Sequence, residues 1–168
     1  LSILINIMLN SYTMKNRKVK IFDHLEPKLT RNQEIKLPLL VAEGKVIDNW
    51  IDYNNHMNMA YYVQCFEESS DYILELLNLG YRYAIEEEKG IFVIKCEINY
   101  RKEITLNENF KIYASKILIQ GKKLIIALSM LNSRGDLIAD YNILNLNIDL
   151  INKKSCNFSN YILNILKN

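Results

Sequence analysis

The run Trp50-Ile51-Asp52-Tyr53-Asn54-Asn55-His56-Met57-Asn58-Met59-Ala60-Tyr61-Tyr62 packs a carboxylate, carboxamides and one of the chain's two histidines into seven positions, Asp52 to Asn58. An amphipathic pattern of helical period begins directly afterwards. That is more hydrogen-bonding capacity than a helix cap requires. The first backbone amides of a helix have no partner within it and sit at the positive end of its dipole. A carboxylate, an imidazole and fixed amide donors at such an entrance suit a polarised carbonyl. The amides hold its oxygen as negative charge develops, and a carboxylate activates water or attacks directly. Each residue also has a plainer use. Asp52 could bond its own backbone in a turn, as aspartates do ahead of helices. Asn58 is an N-cap whatever else it does. His56 alone would be structural, and it gains weight only from its company.

The elements that must hold these residues follow from periodicity. Leu39 to Ile47 reads as a strand with a bend at Gly44. A helix of about twenty residues starts near Asn58 or Met59. Met59, Val63, Phe66, Ser70, Ile73 and Leu77 trace its expected buried stripe, and Gly80 is the expected stop. Ile94, Cys96, Ile98 and Tyr100 then alternate with polar residues, as do Phe110, Ile112 and Ala114. Gln120-Gly121-Lys122 signals a turn into Leu124, Ile126, Leu128 and Met130. Ser133-Arg134-Gly135-Asp136 turns the chain into a long last strand, Leu137 to Asp149. One long helix followed by four hairpin-linked strands is an α+β architecture, an antiparallel sheet curling round one helix. The sequence contains no internal repeat and no glycine-rich phosphate loop.

Composition sets the outer bounds. A chain of 168 residues can bury its own core as one domain. Its 49% apolar and 24% charged residues are ordinary for a globular protein, which excludes disorder. The net charge of +2 is too small and scattered for nucleic acid. Cys65, Cys96 and Cys156 show no metal-ligand spacing and read as reduced thiols, so a cytoplasmic protein without structural zinc is expected. Leu1 to Leu9 is apolar but lacks a basic flank and is too short to span a bilayer, so neither membrane insertion nor a signal peptide is expected. Residues 1–38 read as an N-terminal arm, with His24 a solvated histidine in it, residues 39–152 as the folded domain, and 153–168 as a C-terminal segment.

The series strand, Asp-x-Asn-x-His-Met-Asn-x-x-x-Tyr, long helix, four strands resembles the hotdog-fold acyl-CoA thioesterases. Within them it is most similar to the branch associated with carnitine breakdown, the betainyl-CoA thioesterases. That branch reads Trp-x-Asp-Tyr-Asn-Gly-His-Met-Asn-x-x-Tyr-Tyr, with an acidic pair on the following helix. Here these are Trp50, Asp52, Tyr53, Asn54, His56, Met57, Asn58, Tyr61 and Tyr62, then Glu67 and Glu68. Tyr100-Arg101-Lys102-Glu103 also resembles a segment of the family, and the likeness covers about Val46 to Asp149.

The resemblance implies hydrolysis of a short or medium acyl-CoA, betainyl-CoA among the candidates, without metal or redox cofactor. It implies a homodimer, or a dimer of dimers, with the acyl groove at its interface. Asp52 aligns with the family's acidic loop residue and so becomes the candidate base or nucleophile, with His56 positioning the carbonyl or the water. Asn54, Asn58 and Tyr62 become substrate-binding candidates, and Glu68 matches a catalytic helix carboxylate of related enzymes. On a helical wheel Glu68 falls beside Gln64, Asp71 and Glu75, a solvated face unless a second subunit covers it, with Tyr61 and Tyr72 there to be buried. Arg101, Lys102, Lys122 and Lys123 could meet the phosphates of coenzyme A, although simple solvation is the commoner reason for such residues and they are not counted as site residues.

Two departures stand out. Asn55 replaces the family's glycine, and asparagine is the next most tolerant residue of positive φ. The last strand carries Asn142, Asn145 and Asn147 where the branch has a Glu-Gln pair and a histidine. A cationic acyl group calls for anionic or aromatic neighbours, and the stretch from Asn142 to Ile148 offers none. Two other functions stay open at this point: a hotdog hydratase or dehydratase of enoyl or hydroxyacyl thioesters, and a non-catalytic acyl-CoA-binding protein.

Overall fold

The computed structural model describes residues 25–28 and 35–165. In chain order they form β1 (Leu25–Pro27), β2 (Leu39–Lys45), a 3-10 turn (Asp48–Trp50), α1 (Met59–Leu76), α2 (Tyr81–Glu86), β3 (Lys89–Tyr100), β4 (Asn109–Gln120), β5 (Lys123–Asn132), β6 (Leu137–Asp149), β7 (Lys154–Ser155) and α3 (Asn160–Ile165). The strands make one antiparallel sheet in the order β1-β2-β4-β5-β6-β3, with β7 on β6. Period-2 alternation explains why. Phe110, Ile112 and Ala114 of β4, Leu124, Ile126, Leu128 and Met130 of β5, and Ala139, Tyr141 and Ile143 of β6 are all buried. Their shared face packs on α1, where Phe66 stacks on Tyr141 with centroids 5.2 Å apart. Gly121 and Gly135 take the positive φ values (61° and 83°) that their tight links require. Phe158 and Ile162, from the C-terminal segment, join the core, and β1 extends the sheet beyond β2. Expectations for His24, Leu1 to Leu9 and most of the arm fall outside the described residues.

Three local expectations need correction. The inward face of α1 is Tyr62, Cys65, Phe66, Ser69, Ser70 and Ile73, whereas Met59 is 62% exposed. Met59 opens the helix ahead of the sheet, and the larger Tyr62 takes the inward place. Ser69 can be buried because its hydroxyl donates to the Cys65 carbonyl at 2.7 Å. Second, α1 stops before Gly80. Asn78 adopts the left-handed conformation (φ 56°), and Gly80 instead precedes α2, which periodicity did not reveal. The Glu75 carboxylate accepts the Tyr81 amide at 2.9 Å. A Cβ on residue 80 would lie 1.9 Å from Glu75 Oε1, so glycine serves close approach here. Third, the irregularity in β2 falls between Leu40 and Ala42, while Gly44 pairs regularly with Phe110.

Among the described residues β3 ends the sheet, pairing only with β6. Directly opposed residues of antiparallel strands share a face, so Val93, Cys96 and Tyr100, opposite Asn145, Ile143 and Ala139, lie on the α1 side. Yet Val93 is 49% and Tyr100 44% exposed. Helix α1 meets β3 at Tyr62 on Tyr100 but leaves much of that face of β3 exposed.

Candidate active site

The loop ahead of α1 is closed by backbone bonds before any side chain contributes. Ile51 and Met57 form an antiparallel bridge. The Asp52 amide donates to the His56 carbonyl at 3.1 Å, and the Asn55 amide donates to the Asp52 carbonyl at 3.0 Å. Asn55 sits at φ 65°, as its replacement of a glycine requires. Two further bonds anchor the loop: the Asn58 amide to the Trp50 carbonyl at 2.8 Å, and the Met57 amide to the Ile104 carbonyl at 2.9 Å. Trp50 is buried and stacks on Tyr61 at 5.6 Å. Tyr61 is thereby engaged within its own chain rather than waiting for an interface.

On this frame the carboxylate is fixed at both oxygens. Asp52 Oδ1 accepts the Asn54 amide at 2.8 Å, the turn geometry already open to an aspartate in this position. Asp52 Oδ2 accepts from Asn58 Nδ2 at 3.4 Å, a long bond. Asn58 Oδ1 accepts the Ala60 amide at 3.0 Å as the N-cap. Asn58 therefore spends its side chain on the helix and on Asp52. The Asn58 carbonyl also takes the Tyr61 amide, and none of these bonds uses the amide of Met59.

Asp52, His56, Asn58, Met59 and Tyr62 line one cavity of about 500 Å³ together with Tyr100, Arg101, Lys102 and Glu103. The structure thus brings Asp52, His56, Asn58 and Tyr62 around a common space. The side of Tyr62 is braced by Tyr100 in an edge-to-face contact at 5.3 Å, and burial pushes its hydroxyl up to about 12. Asn54 is exposed and does not belong to that wall. Arg101 is ion-paired with Asp140 at 2.8 Å and Lys102 with Asp136 at 3.1 Å. The pattern missed the contribution of Tyr100 to Glu103 to the wall, although the family-like segment marked the place. Among the described residues no group of three His, Cys, Asp or Glu side chains could hold a metal ion.

Glu68 lies outside this cavity, and its surroundings differ from the solvated face expected. Its Oε1 accepts from Gln64 at 3.2 Å. Its Oε2 is fully buried and, among the described residues, has no hydrogen-bond partner. Burial, then the nearby Asp71 charge, raises its carboxyl to about 7. A helical wheel counts only the helix, and here neighbouring groups close over one oxygen of a half-buried side chain. Glu67, its neighbour, instead accepts the Tyr141 hydroxyl. Two of the final-strand asparagines turn inward, whereas Asn142 is exposed: Asn147 accepts the Tyr83 hydroxyl at 3.0 Å and donates to the Asn157 carbonyl at 3.2 Å. Asn145 donates to the Leu124 carbonyl at 3.4 Å.

An antiparallel sheet wrapped on one long helix, with an Asp-His loop at the helix entrance, defines a hotdog-fold protein of thioesterase type. The chain belongs to the Thioesterase-like superfamily, whose family model matches residues 46–166. It is 30% identical over 71 residues to the L-carnitine dehydrogenase/betainyl-CoA thioesterase of Rhizobium meliloti (strain 1021), across 42% of this chain and 14% of that protein. It is 26% identical over 66 residues to the betainyl-CoA thioesterase of Pseudomonas aeruginosa, across 39% of this chain and 42% of that one. The matched stretches thus span less than half the length of these relatives. Among solved structures, a Staphylococcus aureus hypothetical protein in complex with CoA superposes with TM-score 0.68 at 20% identity, over 74% of this chain and 79% of its own. A 1,4-dihydroxy-2-naphthoyl-CoA thioesterase from Synechocystis gives TM-score 0.66 at 12% identity, over 75% and 93%. At such identities these two establish the fold. Among the described residues no helix is long and apolar enough to cross a membrane.

Proposed function

We propose that this protein hydrolyses an acyl-CoA thioester, adding water across the acyl–sulfur bond to release a carboxylic acid and the free thiol of coenzyme A. The observation that carries this reading is the shared wall of Asp52, His56 and Met59 at the entrance of α1. The leaving thiol is far more acidic than an alcohol and needs little assistance. The demand falls on the acyl carbon and its oxygen. The Met59 amide, at the positive end of α1, receives the developing oxyanion. Asp52 Oδ2, held among the described residues by the long Asn58 bond, attacks the carbonyl or takes the proton of the attacking water. His56 orients the carbonyl or that water.

The working unit in this reading is a homodimer joined along β3. A twelve-residue edge strand with exposed Phe92, Val93 and Ile94 is a surface that invites pairing. The side-by-side partner would also cover the β3 face that α1 leaves open, and it would carry Glu68 toward the opposite Asp52 cavity as a second catalytic carboxylate. The free state of Cys65, Cys96 and Cys156 supports a reducing, cytoplasmic setting. The similarity to betainyl-CoA thioesterases makes a short acyl group the first to try.

A thiol-release assay over a panel of acyl-CoAs tests the proposal. The wild type should release thiol from at least one member, and Asp52→Asn should lower that rate by about three orders of magnitude or more. Equal rates in the two proteins would remove Asp52 from the chemistry. Addition of water to crotonyl-CoA without thiol release would favour a hydratase instead.

A further inference from the structure

Tyr53 belongs to the motif ahead of α1 but has no part in the chemistry proposed for Asp52 and His56. At 94% exposed it is the most accessible of the large apolar residues described. An exposed tyrosine standing alone needs no explanation. This one lines the cavity that Asp52, His56 and Met59 share. It is also rigidly mounted. Tyr53 is the second residue of the turn Asp52–Asn55, which the Asn55 amide closes on the Asp52 carbonyl at 3.0 Å. The Asp52 amide is held by the His56 carbonyl at 3.1 Å, and the Asn54 amide by Asp52 Oδ1 at 2.8 Å. Both neighbours of Tyr53 are therefore fixed, while its own ring makes no hydrogen bond or ring contact with a described residue. Met59, also exposed, stands on the same wall, whereas Met57 and Tyr62 on that wall are buried. The cavity thus has a buried apolar side and an exposed apolar lip.

We propose that the Tyr53 ring is the platform for the pantetheine arm of the substrate, so that the protein reads the thiol half of its thioester as well as the acyl half. The inference rests on the hydrolase reading above and adds the residue that holds the chain of the leaving group. In that reading the carbonyl oxygen meets the Met59 amide and the carbonyl carbon faces Asp52. The two halves of the thioester then leave the reacting bond in opposite directions. The acyl half takes the buried side, against Met57 and Tyr62. The thiol half runs out over the lip, where Tyr53 stands. A pantetheine arm carries methylene pairs and a geminal dimethyl group between its amides. A tyrosine ring offers these an apolar face while its hydroxyl stays in water. Because the turn already fixes the backbone, contact orders only the two side-chain torsions of the tyrosine, a small entropic cost. The ring lies beside the reacting bond and not on it. It therefore binds ground state and transition state alike, and its effect falls on KM.

Thioesters of one acyl group that the wild type hydrolyses, differing only in the thiol, separate the possibilities. The CoA ester is complete, the pantetheine ester lacks the nucleotide, and the N-acetylcysteamine ester ends after the first amide. Tyr53→Ala should raise KM by about 5- to 10-fold for the CoA and pantetheine esters, the scale of one apolar ring face returned to water, with kcat retained. The loss should vanish on the N-acetylcysteamine ester, which also shows that the variant is folded. Tyr53→Phe keeps the ring and should restore wild-type KM on the two longer esters. Equal loss on all the esters would set the ring against the acyl group or the reacting bond. Loss on the CoA ester alone would set it against the nucleotide, and no loss would leave it without a contact. Each of these outcomes overturns the pantetheine platform while hydrolysis stands. Absence of thiol release by the wild type from every acyl-CoA overturns the hydrolase reading, and the platform falls with it.

Discussion

At the scale of single residues, Asn58 joins two jobs that mutation can separate. Its Oδ1 caps α1 and its Nδ2 steadies Asp52. Asn58→Ala removes both, and should cost about 1 kcal/mol of stability by denaturant titration together with most of the thiol-release rate. Asn58→Ser keeps a capping oxygen and loses the donor to Asp52. It should stay within about 0.5 kcal/mol of wild type and still lose kcat, with KM little changed. An Asn58→Ser variant that keeps the wild-type kcat while Asn58→Ala loses it would mean that the cap alone matters. Glu68 gives a prediction in pH. Its carboxyl is raised to about 7 by burial and by Asp71, above the value it has when unfolded. The folded protein thus holds this proton more tightly, and the associated stability is present below about pH 4.5 and lost as pH rises through about 7. Glu68→Gln should match wild type near pH 4.5 and exceed it at pH 8. The gain is about 1 kcal/mol once solvent screening of this half-buried group is counted. A gain that is the same at both pH values would show that the carboxyl is not strained by its charge.

At the scale of elements, what the sequence revealed depended on how local the cause was. The motif from Asp52 to Asn58 is a closed loop of bonds between near neighbours, so residue order located it, while the resemblance to a family with glycine at that place is what implied positive φ at Asn55. The strands alternate with period two against a single covered face, and β6 was legible to its end residues. The face of α1 was legible at Phe66, Ser70, Ile73 and Leu77 and missed at the first turn, because choosing between Met59 and Tyr62 depends on where the sheet lies. Helix α2 was invisible because the bond that anchors its start, from Glu75 to the Tyr81 amide, reaches across a non-repeating link. The state of Glu68 was hidden for the same reason. Gly80 provides the test. In Gly80→Ala the new Cβ would meet Glu75 Oε1 at 1.9 Å, so the carboxylate must leave and α2 loses its anchor. Loss of about 1–3 kcal/mol is expected in denaturant titration, the cost of one charge-assisted bond. A variant as stable as wild type would show that α2 is held by packing alone.

At the scale of the whole molecule, β3 decides between a monomer with an exposed flank and a paired enzyme. Val93 is half exposed in the single chain and shares its face with the core-facing residues of β6. A lysine there meets water in a monomer at little cost. In a dimer joined along β3, each copy would bury that lysine against its partner, and an unpaired buried charge costs several kcal/mol. Val93→Lys should therefore leave the fold of the chain intact by circular dichroism and shift sedimentation from dimer to monomer. Thiol release should fall with it, because each Asp52 cavity then loses the α1 flank that carries Glu68. If the wild type and Val93→Lys sediment as the same dimer, β3 is not the joint. If the monomeric variant keeps full activity, one chain completes the site and Glu68 has no part in the chemistry of a neighbouring copy.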